Sequence, residues 1–495
     1  MTSWSRLDRR LILVNLTVLA APVALLLLNR VVTGGRLGLQ VAISLASLFV
    51  TLLVICGISL MRYLTTRYRI VGDRIELRSG LLFRSRRAVP IHRVRSIDLT
   101  ADPMHRMFGL TTLRIDTGEQ GPAAGHRLRL DGLRAADAAE LRRQILARRA
   151  TATGTTDDDG LIGELDWSWL RYAPLTVWGV GSVFVAFGTV YRILAEMKVN
   201  PLELGVVRDA VDRFGSVPLW FGILVTTLIV VGLGVLSSTA AYIEGWSGYR
   251  LRREDDRFQI RRGLLATRSV GIQRNRVRGV ELAEPIPLRW AGGARLNAVA
   301  SGLGNVEDNR RRRALTPPAP RAETLRIAVE VLGQDASLIA RAGLTPHPRA
   351  ALRRRINRGL TTVALIAAVP VGLGLWLSPT LVRAGLITAA LLVPIAILLA
   401  IDAYRTLGHG IRDRHLVISA GTFTRRTVAL QESGIIGWNI SRSFLQRRHG
   451  LLTLGATTAA GDSVYKVRDV TVPDGLALAE DAVPGLLRPF LERRQ

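Results

Sequence analysis

Arginine is the residue through which this 495-residue chain could do chemistry. Lysine and arginine together number 67 against 39 acidic residues, giving a net charge of +28. Only Lys198 and Lys466 are lysines. One group, Arg84, Arg86, Arg87, Arg93 and Arg95, follows the second apolar run closely, and Arg276 and Arg278 stand at matching positions later in the chain. Guanidinium groups bind phosphate and carboxylate in a fork. At a membrane surface each contributes about 1 kcal/mol toward anionic headgroups. A solvated basic face that merely sets membrane topology is the plainer explanation, and positive-inside statistics favour it. Other chemistry is poorly represented. There is no Gly-Lys pair for a phosphate loop and no His-Glu-x-x-His, and no Gly-x-Ser-x-Gly elbow. The seven histidines are scattered. His409 and His415 could be neighbours but lack a third ligand at metal-site spacing. The single cysteine, Cys56, lies in an apolar run and excludes an intrachain disulfide. No catalytic residue, metal or cofactor is therefore expected, and the chain reads as a non-enzyme. Arg310–Arg313 with Pro317 and Pro318 reads as a flexible basic loop, because nucleic-acid binding would add aromatics or a recognisable helix.

The elements around these arginines are apolar. Hydrophobic residues make up 48% of the chain and the mean hydropathy is +0.24. A helix needs about 20 apolar residues to cross the hydrocarbon core. Six uncharged runs meet or approach that length: Leu11–Asn29, Leu37–Met61, Tyr172–Tyr191, Phe214–Ile243, Gly359–Val382 and Ala384–Ile401. A secretory signal peptide competes for the first, but the run exceeds a typical apolar core of ~7–15 residues. In the last pair, Ser378-Pro379-Thr380 reads as the tight turn of a hairpin, with Pro370 and Pro394 as kinks. Arginine-rich flanks such as Arg6/Arg9/Arg10, Arg62/Arg67/Arg69 and Arg353/Arg354/Arg355 all fall on one side. The arrangement predicts a plasma-membrane protein with both termini and all soluble segments in the cytoplasm. Inside the spans charge is absent, which argues against an ion-coupled transporter. Asn15 and Gln40 are explained by hydrogen bonds between helices.

The soluble segments repeat. Residues 62–150, 244–345 and 402–495 each follow a hairpin, and they align without gaps over 80–99, 263–282 and 421–440. Gly80, Gly263 and Gly421 open these stretches, and Gly109, Gly292 and Gly450 follow at a constant distance. These glycines read as turn or bulge positions with positive φ. Alternation in Arg69–Leu77 and Arg412–Ile418 predicts strand, turn and strand. Pro90, Ile91, Val94 and Ile97 read as packing and turn residues. Each segment ends in a helix, clearest at Ala135–Arg149, where Ala139, Leu141, Ile145 and Leu146 define one face. The second copy carries an insertion at 301–323. The domain layout is thus hairpin 1–61, domain 62–150, linker 151–166, hairpin 167–243, domain 244–345, hairpin 346–401 and domain 402–495.

Strand–turn–strand, then Gly80-Leu81-Leu82, Val89-Pro90-Ile91-His92-Arg93-Val94-Arg95-Ser96-Ile97 and Arg106-Met107-Phe108-Gly109-Leu110, resembles the bacterial membrane-flanked domain, a pleckstrin-homology-like (PH-like) domain. In the second copy Gln273 and Asn275 replace Pro90 and His92, and the third copy departs further. The resemblance implies a seven-stranded small β-barrel with a C-terminal helix in each copy. The multi-copy layout is similar to the larger member of a paired bacterial membrane-protein system linked to resistance against membrane-active bacteriocins. The expectation is six transmembrane helices with three cytoplasmic PH-like domains. They would act as a binding scaffold at anionic lipid, together with a membrane-protein partner of the same domain family and without nucleic acid. The alternatives are a transporter or export accessory, and an enzyme acting on lipid.

Overall fold

The computed structural model describes residues 4–17, 23–24, 39–72, 74–79, 85–91, 96–116, 128–153, 160–175, 188, 192, 219–254, 256–301, 312–335, 338–339 and 343–487. Contacts divide the chain into two compact units, Met1–Arg274 and Asn275–Gln495. The boundary falls inside the second repeat.

In the first unit, strands β1 (Ser5–Arg6), β2 (Arg67–Val71), β3 (Arg74–Ser79) and β4 (Ser85–Pro90) form one antiparallel sheet in that order. Strands β5 (Ser96–Ala101), β6 (Leu110–Asp116) and β7 (Leu128–Arg134) form a second, and helix Ala135–Thr153 follows. Ile75, Val89, Leu113, Ile115 and Leu130 fill the space between them. The closing helix presents Ala138, Leu141 and Ile145 to this core, whereas Ala139 is exposed. Leu141 and Ile145 are buried as expected, and Ala138 takes the place expected of Ala139, one residue round the helix toward the core.

A larger difference concerns the N-terminus. Leu7, Leu11 and Val14 belong to the same core, and helix Leu11–Leu16 begins on the β-domain. A Cβ on Gly132 would come within 3.0 Å of the Leu11 side chain. The run Leu11–Asn29 was expected to be membrane-spanning from its first residue. Its first turn instead covers the core of the first β-domain. The rest of that run, and most of Tyr172–Tyr191, lies outside the described residues.

The remaining strands of the first unit are β8 (Gly160–Glu164), β9 (Arg250–Glu254), β10 (Arg257–Arg262) and β11 (Thr267–Gln273). The stretch 151–166, read as a linker, thus contains β8, a strand of the second domain paired with β9. Strand β11 pairs with β5, so one seven-stranded sheet runs β7-β6-β5-β11-β10-β9-β8.

The second unit repeats this plan. It holds β12 (Val277–Pro285), β13 (Gly293–Ala300), β14 (Ala319–Pro320), β15 (Gly408–Arg412), β16 (His415–Ala420) and β17 (Thr424–Gln431), joined as β14-β13-β12-β17-β16-β15. Strands β18 (Gly437–Ser441), β19 (Leu451–Thr457) and β20 (Val464–Thr471) form the last sheet. Helix Val472–Ala482 closes the third domain, and Leu416, Val428, Leu454 and Val467 lie in its core.

Among the described residues, four helices are long and apolar enough to cross a membrane: Ala46–Thr65 (within helix Leu39–Thr65), Thr227–Trp246 (within Leu219–Trp246), Arg349–Leu377 and Pro379–Arg405. Trp376 is 92% exposed on one of them, as a lipid-facing side chain is. The last two are separated by Ser378 alone, whose hydroxyl accepts from the Thr380 N–H at 3.2 Å. Pro379 follows at the first helical position, where its missing N–H costs nothing. The hairpin turn lies where the sequence placed it, while Gly359–Val382 straddles it and the first helix begins earlier, at Arg349. Pro370 and Pro394 sit inside these helices. Asn15 donates to Ser59 at 2.8 Å, the expected bond between helices.

Candidate functional site: the joints between repeats and two basic clefts

The repeats are joined by backbone pairing in one fixed register. In the gapless alignment Ala101 corresponds to Glu284, and Thr267 to Arg425. The first joint pairs Thr267 with Ala101, Arg268 with Thr100 and Ser269 with Leu99. The second pairs Arg425 with Glu284, Arg426 with Ala283 and Thr427 with Leu282. These are equivalent positions throughout, so each repeat receives its successor in the same way.

Turn chemistry prepares the incoming strand. Gly263 and Gly421 have φ of 111° and 147°. A Cβ at either would meet a carbonyl oxygen three residues on, at 2.0 Å from Ala266 and 1.9 Å from Thr424. Only glycine permits that turn. In the second repeat it rests on the last turn of helix Leu219–Trp246, where the Glu244 carboxylate accepts from the N–H groups of Leu265 (3.0 Å) and Ala266 (2.8 Å). Gly109, Gly292 and Gly450 also have positive φ, while Gly80 lies outside the described residues.

Side chains reinforce each joint differently. Arg142 reaches Ser269 and Glu254, both at 3.3 Å, at the first. At the second, buried Glu284 accepts a two-pronged bond from Arg425 (2.6 and 2.7 Å) and another from Arg321 at 3.2 Å. Arg313 was expected in a flexible loop. It is buried and bonds Asp462 at 2.7 Å, with Glu281 at 3.8 Å. An acidic pair across the joint outweighs the loop character of its neighbours.

Two clefts could take a ligand. One, of about 440 Å³, lies beside the C-terminal end of helix Leu39–Thr65 and is lined by Arg6, Arg9, Arg10, Arg134 and Tyr63, with Asp8 and Asp137. Arg9 donates to the Tyr63 hydroxyl at 3.0 Å and Arg134 to Asp8 at 2.6 Å. Burial works to raise the Asp8 carboxyl, but the Arg10 N–H and the Arg134 guanidinium together hold it below the usual carboxylate range. Four guanidiniums against two carboxylates leave the cleft cationic. The other, of about 460 Å³, opens in the third repeat and is lined by Arg426, Lys466, Arg468, Glu281, Asp462 and Tyr465. Burial pushes the Tyr465 hydroxyl up, so it stays protonated. The arginines at 6, 9 and 10 carried only topology in the sequence, because their convergence with Arg134 and Tyr63 depends on the fold.

The sequence-selected arginines are placed less favourably. Arg86 is 56% exposed and bonds Glu76 at 3.1 Å, beside Arg69 at 2.7 Å. Arg87 lies in β4, and Arg84, Arg93 and Arg95 are outside the described residues, as is Val94. Arg276, just before β12, and Arg278, within it, are half-buried. Pro90 and Ile91 close β4, with Ile91 buried, and Ile97 pairs with Ile115. No group of three metal-ligating side chains occurs among the described residues. His409 pairs across the sheet with Ile418, and its ring neighbour is His347, with centroids 4.9 Å apart. It is not His415.

The model of the bacterial PH domain matches residues 16–149, 201–328 and 360–482. The chain belongs to this family. It is a membrane protein carrying three bacterial PH domains, as the repeats foretold. It is similar to the UPF0699 transmembrane protein YdbT of Bacillus subtilis (strain 168), with 21% identity over 453 residues, 88% of this chain and 87% of that one. No solved structure matches it significantly.

Proposed function

We propose that this chain is a non-enzymatic, multi-pass protein of the plasma membrane whose three PH domains form a scaffold on the cytoplasmic surface. The observation that carries this reading is the repeated joint. Backbone pairing in one register makes consecutive domains continuous sheet, which suits a platform holding partners in fixed geometry better than a set of independent binding modules. The cationic cleft at Arg6, Arg9, Arg10 and Arg134 lies at the end of a membrane-length helix, where anionic headgroups would reach it. By family resemblance, the partner is a smaller membrane protein with one hairpin and one PH domain, and the pair acts in resistance to membrane-active bacteriocins. Six crossings with both termini in the cytoplasm complete the reading. Affinity purification in mild detergent tests it. A stable hetero-complex with a second PH-domain membrane protein is expected, and recovery of the isolated chain alone would overturn the scaffold reading.

A further inference from the structure

The joint that links the repeats occurs twice, and among the described residues the equivalent receiving edge of the third repeat has no strand on it. Strand β18 is the counterpart of β5 and β12 in the alignment. Those two strands receive β11 and β17. Strand β18 ends its sheet, with β19 on one side and no strand on the other among the described residues.

Its side chains differ from a finished edge. Leu282 in β12 is 0% exposed beneath its joint, whereas Ile440, at the same position of β18, is 42% exposed. Ile436 is 63% exposed. The stretch Ile435–Ser441 contains no charge and no proline, the devices by which a permanent edge is protected.

A glycine makes the case independently. At Gly279 a Cβ would lie 2.0 Å from the Ala429 carbonyl oxygen of the incoming strand, so the second joint requires glycine there. Gly437 occupies the same position in β18, and a Cβ on it would meet nothing within 4 Å. Nothing in the described fold demands glycine at 437. A strand docked as β17 docks on β12 would demand it.

We propose that β18 is a docking edge, occupied by the third strand (the counterpart of β11 and β17) of a PH repeat belonging to a different membrane protein. This rests on the scaffold reading above and names the surface that reading needs. Main-chain bonds would supply affinity and alternate side chains specificity, as in strand addition generally. A second copy of this chain is a poor occupant. In the joint register its β4 would bring Arg86 and Arg87 to the places held in β17 by the buried Thr427 and Val428. The fitting strand carries small or β-branched residues at those two places and an acidic residue opposite Arg442.

The test places a photo-cross-linking benzoylphenylalanine at Asn439 of the full-length chain in its host membrane, with the cross-linked peptide sequenced. The expected adduct is the third strand, the counterpart of β17, of a PH repeat in another protein. An adduct with a second copy of this chain, with lipid alone, or with nothing overturns the proposal. Gly437→Val is the companion variant. It should leave the melting temperature unchanged and lower the yield of purified complex at least about tenfold, a loss of roughly 1.4 kcal/mol. If the wild-type chain purifies with its partner and Gly437→Val does so equally, β18 is not the surface, although the scaffold reading survives. If the wild-type chain has no partner, both fall.

Discussion

At the scale of single residues, polar groups fix the third repeat to its hairpin. Asp469 has φ of 62° and is the extra residue where β19 and β20 slip register between Leu452 and Thr453. The bulge turns its carboxylate inward, to Gln446 at 3.0 Å, to Arg354, and to Arg355 at 3.6 Å. Gly132 holds the equivalent bulge in the first repeat, with φ of 81°. Removing one partner of a buried pair leaves the other uncompensated. Asp469→Asn, which still tolerates positive φ, should therefore cost roughly 3 kcal/mol in an unfolding titration in detergent. The buried pair His347 and His409 gives a pH dependence. Burial lowers His347 to about 3, helped by His409 and Arg355, and burial also lowers His409. Both rings are therefore neutral when folded. Below pH 6.5 the unfolded chain binds protons that the folded one does not, so stability must fall on acidification through the range from 6.5 toward 3. The slope is about 1.4 kcal/mol per pH unit for His347, and His409 acts in the same direction. Melting temperatures at pH 7 and pH 5 check this, and His347→Phe should flatten the difference.

At the scale of elements, the turn glycines are unequal although the sequence presents them alike. Gly421 has both positive φ and a carbonyl in the path of a Cβ, while Gly450 has φ of 65° and open space. Gly450→Ala should cost only the left-handed penalty of about 1–2 kcal/mol. Gly421→Ala must also displace the turn that aims β17 at β12, so its loss should be clearly larger. Equal losses for the two would remove the steric argument. The same contrast separates motif from mechanism. The positive φ was legible from spacing, since only glycine recurs there, but the obstructing oxygen belongs to a closed turn and appears only in three dimensions.

At the scale of the whole molecule, domains that look like beads on a chain share sheets. β12 and β17 come from different repeats yet pair over Gly279–Pro285 and Thr424–Leu430. Hydrogen exchange should therefore protect β12, β13, β16 and β17 as one cooperative block, with β18 exchanging faster at its open edge. Independent exchange of β12 and β17 would mean that the joint opens freely. Glu284→Ala removes the acceptor shared by Arg425 and Arg321, and it should raise exchange in both strands together.

The sequence by itself determined what local spacing controls. Long uncharged runs announced the membrane, the turn at Ser378 and Pro379 followed from proline geometry, and the recurring glycines revealed three copies of one domain. Only the tertiary structure decided how the copies connect. A strand's alternation records which face is buried, but its backbone donors are the same in every strand, so the sequence does not say which edge they meet. For the same reason Leu11 read as the start of a span and Arg313 as a loop residue, since burial by a distant element leaves no local mark. Spacing singled out Arg86 and its neighbours, yet the cleft that gathers Arg6, Arg9, Arg10 and Arg134 exists only once β7 and the N-terminal segment are packed together.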